Sequence, residues 1–396
     1  MTRAPPIAYN HAMTTRRRHR PLARALAAAL AATGALSLAP PSAAAGRGGS
    51  LEVTALLEDR RSTALAAADD FLDRYMQSNG RVVRHDQGGD TVSEGQAYGL
   101  LLAVAVGDET RFRTIWGWTD ENLQRADGLF AWHWANGGIA DYHPATDADL
   151  LIAAALALGS RRFGDRELRA EAGRVGDAIL DHETVTLGRQ RVLVAGTWAR
   201  DWRMVNASYL VTPAMSLLYE IVPEYRWGRV ASSSRLLLDE MMDTEPHLPP
   251  DWAVVDAAGD NPEPVASPSG APPRYSYDAA RVIVQTAVDC RAAGQEMAAA
   301  AWPFLRGKVD TDTLVMSYTL DGSAISSEEH PLMYVAAAAA ASAAGARTRA
   351  DDLLGKAALL DAANPTYFGA AWVALARLWL DTGLLGGCRP GAPARA

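Results

Sequence analysis

Cysteine is nearly absent from this chain: Cys290 and Cys388 are the two in 396 residues. Two thiols can form one bridge at most, which excludes a disulfide framework and a cysteine-built metal centre. No Cys or His cluster has zinc-ligand spacing, and no HExxH motif occurs among the eight histidines, so nothing here points to a metal or other cofactor. Lone histidines such as His133, His143 and His330 read as satisfied loop or core residues. Basic residues are also scarce once the first 45 positions are set aside. That segment holds six Arg and no acid, and the remainder carries 32 Lys and Arg against 46 Asp and Glu, a net charge of −14. So acidic a body argues against nucleic acid or an anionic membrane surface as partner. Convincing strand alternation is scarce too. Phe is rarer than Trp, six against eleven, the balance expected of walls that need both an apolar face and a polar edge.

What is present begins with a leader. The basic run Arg16-Arg17-Arg18-His19-Arg20 precedes an apolar stretch from Leu22 to Leu38 and the small-residue segment "APPSAAAG". That order reads as an export signal, residues 1–45, removed from a single domain at 46–396; its apolar core is too short and Ala-rich for an anchor. Met13 would start the leader with nothing spare in front. The expected product is a monomer, secreted or periplasmic, free of the membrane after cleavage.

Helical periodicity dominates the rest. Twelve helices are expected, near 62–77, 93–106, 109–124, 147–163, 166–182, 207–221, 225–243, 277–292, 294–305, 331–344, 349–361 and 366–382. The second, fourth, sixth, tenth and twelfth are apolar nearly all round, as in "YGLLLAVAVG" and "LLIAAALALG". The first, third, fifth, seventh and eleventh carry charge on one face, the eighth is intermediate, and the ninth is weakly polar. A helix apolar on every side must be enclosed, whereas an amphipathic one can face water. Six hairpins pairing an enclosed helix with an exposed one predict two concentric rings, an (α/α)6 barrel. The low-pattern stretch from Pro246 to Pro273 reads as a loop, because the helices on both sides of it are needed to close the ring.

Three of the ring helices open with acids. "Ser93-Glu94-Gly95-Gln96" has the form of a capping box, "Thr146-Asp147-Ala148-Asp149" repeats the idea, and Asp278 follows Ser276-Tyr277. Acids in a first turn are favoured by the helix dipole without any chemistry. If the inner helices run in parallel, however, Glu94, Asp147 and Asp278 converge on one face. Trp132 and Trp134, in the Gly-rich "GLFAWHWANGG", offer indole faces of the kind a sugar ring stacks upon. Two acids facing across a groove, one protonated and one ionised, are the equipment of glycoside hydrolysis.

The same residues carry a resemblance that covers nearly the whole mature chain. "TVSEGQAYGLLLAV", "ATDADL" and "RYSYDAAR" resemble the signatures of glycoside hydrolase family 8, bacterial endoglucanases with some chitosanases and xylanases. The resemblance implies an (α/α)6 barrel and an inverting endo-β-1,4-glucanase with Glu94 as acid, Asp278 as base and Asp147 holding the distorted ring. It also implies Trp132, Tyr209, Tyr277 and Arg281 as substrate-binding residues, with Trp202 a weaker candidate, and a β-1,4-linked polysaccharide as the partner. The chain departs from the family where Ala207 and Ile283 replace frequent prolines, which bears on loop shape and not on the acids. Rival readings are chitosan or xylan as substrate, a role in cellulose synthesis, an inactive carbohydrate-binding barrel, and a polysaccharide lyase.

Overall fold

The computed structural model describes residues 45–223 and 227–390. The expected leader lies outside the described residues except for its last position. The helices fall into pairs: α1 (Ala45–Tyr75) with α2 (Ser93–Val106), α3 (Glu109–Leu123) with α4 (Thr146–Phe163), and α5 (Arg166–His182) with α6 (Thr212–Ile221). They continue with α7 (Gly228–Met242) and α8 (Tyr277–Ala287), then α9 (Ala292–Ala300) and α10 (Trp302–Asp310) with α11 (Pro331–Ala343), then α12 (Arg347–Ala363) with α13 (Tyr367–Arg377). The even members through α8, with α11 and α13, form a closed inner ring: α2 packs on α4, α4 on α6, α6 on α8, α8 on α11, α11 on α13 and α13 on α2. The chain is an (α/α)6 barrel.

Sequence dictates which helix goes where. In α2 every residue from Gly95 to Ala105 is buried, and in α4 the same holds from Thr146 to Ser160. Burying each Leu or Val contributes about 1.5–3 kcal/mol, and no polar stripe exists that could face water. In α5, by contrast, Leu168, Ala172, Val175, Gly176 and Ile179 form one buried stripe, and the charges between them stay outside. At Gly95 the walls come unusually close: an added Cβ would lie 2.7 Å from the Tyr367 hydroxyl, so α2 and α13 can meet there only over a glycine.

Several boundaries differ from expectation. The ninth helix is two, α9 and α10, because Pro303 in the first turn of α10 has no N–H to continue the preceding helix. The sixth begins at Thr212, where Pro213 opens it, and Ala207–Tyr209 is a separate 3-10 turn. α8 stops at Ala287, five residues early, and α13 gives way to a wider π turn over Leu378–Thr382. Small sheets are present. β1 (Thr91–Val92), β2 (His133–Ala135) and β3 (Gly138–Asp141) form one, and β4 (Thr184–Leu187) and β5 (Gln190–Leu193) a hairpin. β6 (Met204–Asn206), β7 (Trp252–Val254) and β8 (Glu263–Pro264) form the third, so the stretch 246–273 is only partly the loop expected. Cys290 and Cys388 are bonded, tying the segment after α8 to the chain beyond α13. Among the described residues no helix is long and apolar enough to cross a membrane.

Candidate active site

Each inner helix follows an outer one that returns the chain, so all six begin at the same end of the barrel. Glu94, Asp147 and Asp278, second residues of α2, α4 and α8, meet there on one guanidinium. Arg281 Nη1 donates to Glu94 Oε2 and to Asp147 Oδ2, both at 2.9 Å, and Nη2 donates to Asp278 Oδ1 at 2.7 Å. Because one planar group touches both, the bonded oxygens, Glu94 Oε2 and Asp278 Oδ1, stand closer than the upper end of the roughly 6.5–9.5 Å separation of inverting pairs. Exposure separates the three acids. Glu94 and Asp278 keep 14% and 13% of their side chains open, while Asp147 and Arg281 keep 2% each.

Three carboxylates around one cation cannot all stay ionised in a dry site. Burial pushes Glu94 up to about 8; Arg281 opposes the shift, and the charges of Asp147 and Asp278 add to it. Burial also raises Asp147, against the pull of Arg281. Glu94 uses Oε2 toward Arg281, which leaves Oε1 to carry a proton. Asp278 has both oxygens engaged, since Asn206 Nδ2 donates to Oδ2 at 2.9 Å. Arg281 is steadied further by the Tyr98 hydroxyl at 3.4 Å, itself the acceptor of Trp372 Nε1 at 3.1 Å.

The expected binding residues fall around this centre, though not as freely exposed platforms. Tyr209 is 2% exposed and lies with its ring 5.8 Å from the Arg281 guanidinium carbon. Tyr277 is half-buried, edge-on to His330 and Phe368. Trp132 is 8% exposed and packs with Val92, Ala145 and Ala148, so the open loop expected there is instead the entry to β2. Its indole stacks on His133 at 4.6 Å, and His133 pairs with Asp90, which Arg84 grips through two bonds. Trp134 packs against Trp118, and Trp202 is partly buried against the Tyr209–Trp252 cluster. His330 caps α11 through Nδ1, and burial lowers it to about 4.

The capping box is not formed. Ser93 is already inside the helix, and Gln96 turns away to accept from the Val82 amide and to donate to Gly80 and Thr119. It serves the core, not the helix end. Three further acids also belong to the site, of which the motifs name only Asp149, and that as a capping partner. Asp149 and Glu183 are fully buried against each other beneath Asp147, and burial raises both well above the usual carboxylate range. Asp149 Oδ1 accepts from the Phe130 amide at 2.9 Å and so anchors the approach to Trp132. Asp251 lies buried behind Asp278; burial first, then the Asp278 charge, push it up to about 7. Asn206 and Asp251 stand in "VNASYL" and "PPDWAVVD", and a buried polar residue beside a strand is the one signal available for them.

A double helical ring with acids gathered at one end defines a class of carbohydrate-active barrels. The model of glycosyl hydrolases family 8 matches residues 49–382, and the chain belongs to that family. A probable endoglucanase of Novacetimonas hansenii is 35% identical over 219 residues, 54% of this chain and 63% of the relative. An endoglucanase of Cellulomonas uda is 31% identical over 236 residues, 58% of this chain and 65% of the relative. The chain thus spans just under two thirds of the length of these relatives. Among solved structures, the endo-β-1,4-glucanase CMCax of Acetobacter xylinum superposes with a TM-score of 0.65 at 29% identity, over 79% of this chain and 96% of the other.

Proposed function

We propose that the protein is an inverting endo-β-1,4-glucanase that cleaves cellulose or a soluble β-glucan. The observation that carries this reading is the pair of partly open carboxyls, Glu94 and Asp278, held by one buried guanidinium, with Glu94 raised toward its protonated form. Glu94, protonated at working pH, donates to the departing glycosidic oxygen. Asp278, held by Arg281 and Asn206, takes a proton from the water that attacks the anomeric carbon from the opposite side. Asp147 fixes Arg281 from below and supports the distorted ring. Tyr209, Tyr277 and Trp132 contribute aromatic edges to the groove, and no cofactor is required by these steps. The endoglucanase names of the relatives support the substrate class. Export is supported by the layout of residues 1–45 and by the Cys290–Cys388 bridge, a bond that persists in oxidising compartments.

The test offers the purified chain carboxymethylcellulose, lichenan, xylan and chitosan side by side and follows the first anomer released by NMR. The expected outcome is fastest cleavage of the glucans with the α-anomer appearing first. Faster turnover of chitosan or xylan would move the substrate within the family, and a β-anomer first would end the inverting assignment.

A further inference from the structure

α8 opens without a cap of its own. Ser276 stands at the N-cap position, yet its side chain accepts nothing from the helix. Asp251, 25 residues earlier and 7% exposed, supplies the missing acceptor. Its Oδ1 accepts from the amides of Ser276 and Ala279, each at 2.9 Å, and its Oδ2 accepts from the Ser276 hydroxyl at 2.5 Å. Between those two amides lie Tyr277 and Asp278, so the clamp spans the backbone that carries the proposed base.

Asp251 is itself held firmly. Its amide donates to the Arg274 carbonyl at 2.8 Å, and its carbonyl accepts from Ala207 at 3.2 Å. The next residue, Trp252, is in register with Asn206 across β6 and β7, and Asn206 grips Asp278 Oδ2. One small sheet thus holds the first turn of α8 at two levels, the backbone through Asp251 and the carboxylate through Asn206.

We propose that Asp251 is a positioning residue for hydrolysis, capping α8 from outside the helix and thereby aiming the Asp278 carboxylate. Stability alone explains the arrangement poorly. A serine at the N-cap position can accept from the N3 amide unaided, for a typical gain of about 1 kcal/mol. Here that hydroxyl is turned to donate instead, and a second carboxyl is buried within repulsive reach of Asp278. Such a group destabilises unless its geometry serves something else, and a misplacement of about 1 Å in a reacting group can cost on the order of 10²-fold in rate.

The inference rests on Asp278 being the base, so Asp278→Asn is assayed in parallel. Asp251→Ala should lower kcat on the order of 10²-fold with KM nearly unchanged. Asp251→Asn, whose Oδ1 still accepts both amides, should recover most of that loss. Asp251→Ser is polar but too short to reach both amides, and gives the same reading if the Ala variant does not fold. Unchanged kcat in the Ala or Ser variant, with only a lower melting temperature, would overturn the positioning role. So would an Asn variant as slow as the Ala variant. An active Asp278→Asn enzyme would instead overturn the base assignment on which the inference stands.

Discussion

The two ends of the inner ring both gather charge and reach opposite results. Where the helices begin, Glu94, Asp147 and Asp278 gather; toward the other end, Arg161 and Arg162 of α4, with Arg235 of α7 and Arg291 just before α9, line a hollow of about 900 Å³ beside the Cys290–Cys388 bridge. Helix dipoles favour acids at first turns and cations at last turns, which accounts for the three acids and for Arg161 and Arg162 in the last turn of α4, but not for Arg235, midway along α7, or Arg291, at the start of α9. Enclosure separates them. At the opening end the acids share one guanidinium that is 2% exposed, whereas Arg161 is half exposed and meets Glu220 across 3.4 Å. The roomier hollow is at the arginine end, so size does not choose the site. Convergence of desolvated carboxyls does, because there the charges of neighbouring acids and of one shared cation help decide which group keeps a proton.

The largest expected effect belongs to the acid end. Glu94→Gln should lower kcat by about 10³-fold, and its residual rate should lack the basic limb. In the unaltered enzyme the raised carboxyl carries its proton below about 8 and loses it as pH climbs through that value, so kcat should fall there. A retained basic limb in the variant would assign that titration to another group. At the other end, replacing Cys290 and Cys388 together by Ala opens a link between positions 98 apart. It should cost about 2–5 kcal/mol in denaturant unfolding and leave kcat close to its original value. A large loss of kcat would mean that the two ends are coupled.

Asp149→Asn probes the site end without touching the reacting groups. Asp149 and Glu183 are raised well above their unfolded values, so their contribution is complete in acid and declines as pH rises above about 4. The amide keeps the acceptor for Phe130 and removes one titrating group. The variant should therefore gain stability over the original chain as pH increases, with a slope of about 1.4 kcal/mol per pH unit, read from melts between acid and alkaline buffer. A constant difference across that range would show that Asp149 does not hold the proton. Smallest of all, Arg162→Ala at the exposed arginine end should change stability by no more than about 0.5 kcal/mol, and activity not measurably.

Much of the barrel is legible in the sequence, for a physical reason. Apolar character on every side of "YGLLLAVAVG" and "LLIAAALALG" leaves enclosure as the only stable outcome, and a one-sided stripe such as that of α5 leaves only the outer ring. Pro303 and Pro213 reset the chain where the pattern gives no break, because apolar periodicity runs through a proline that the backbone cannot. Glu94, Asp147 and Asp278 can be picked out because three ring helices each open with an acid, a coincidence that the dipole explains for one helix better than for all three. Arg281 is available only through the resemblance; its grip on all three acids depends on helices far apart in the chain. The local motif makes Gln96 a capping partner, since it does not show that Val82 and Thr119 come close enough to claim the side-chain amide. Asp149 shows locally only as a capping partner, Asn206 and Asp251 only as polar residues beside a strand, and Glu183 not at all. Each bonds across at least 19 positions, or, for Glu183, meets an acid on another helix.

Local sequence by itself determined which segments coil, which of those must be enclosed, and which turns start with a carboxyl, because those properties depend on neighbours within a few residues. Tertiary structure alone decided that three such carboxyls share a cation, which two remain open to solvent, and which are pushed toward the protonated form. Those outcomes depend on dielectric surroundings and on distances between groups up to 187 positions apart, and no stretch of chain carries either quantity within itself.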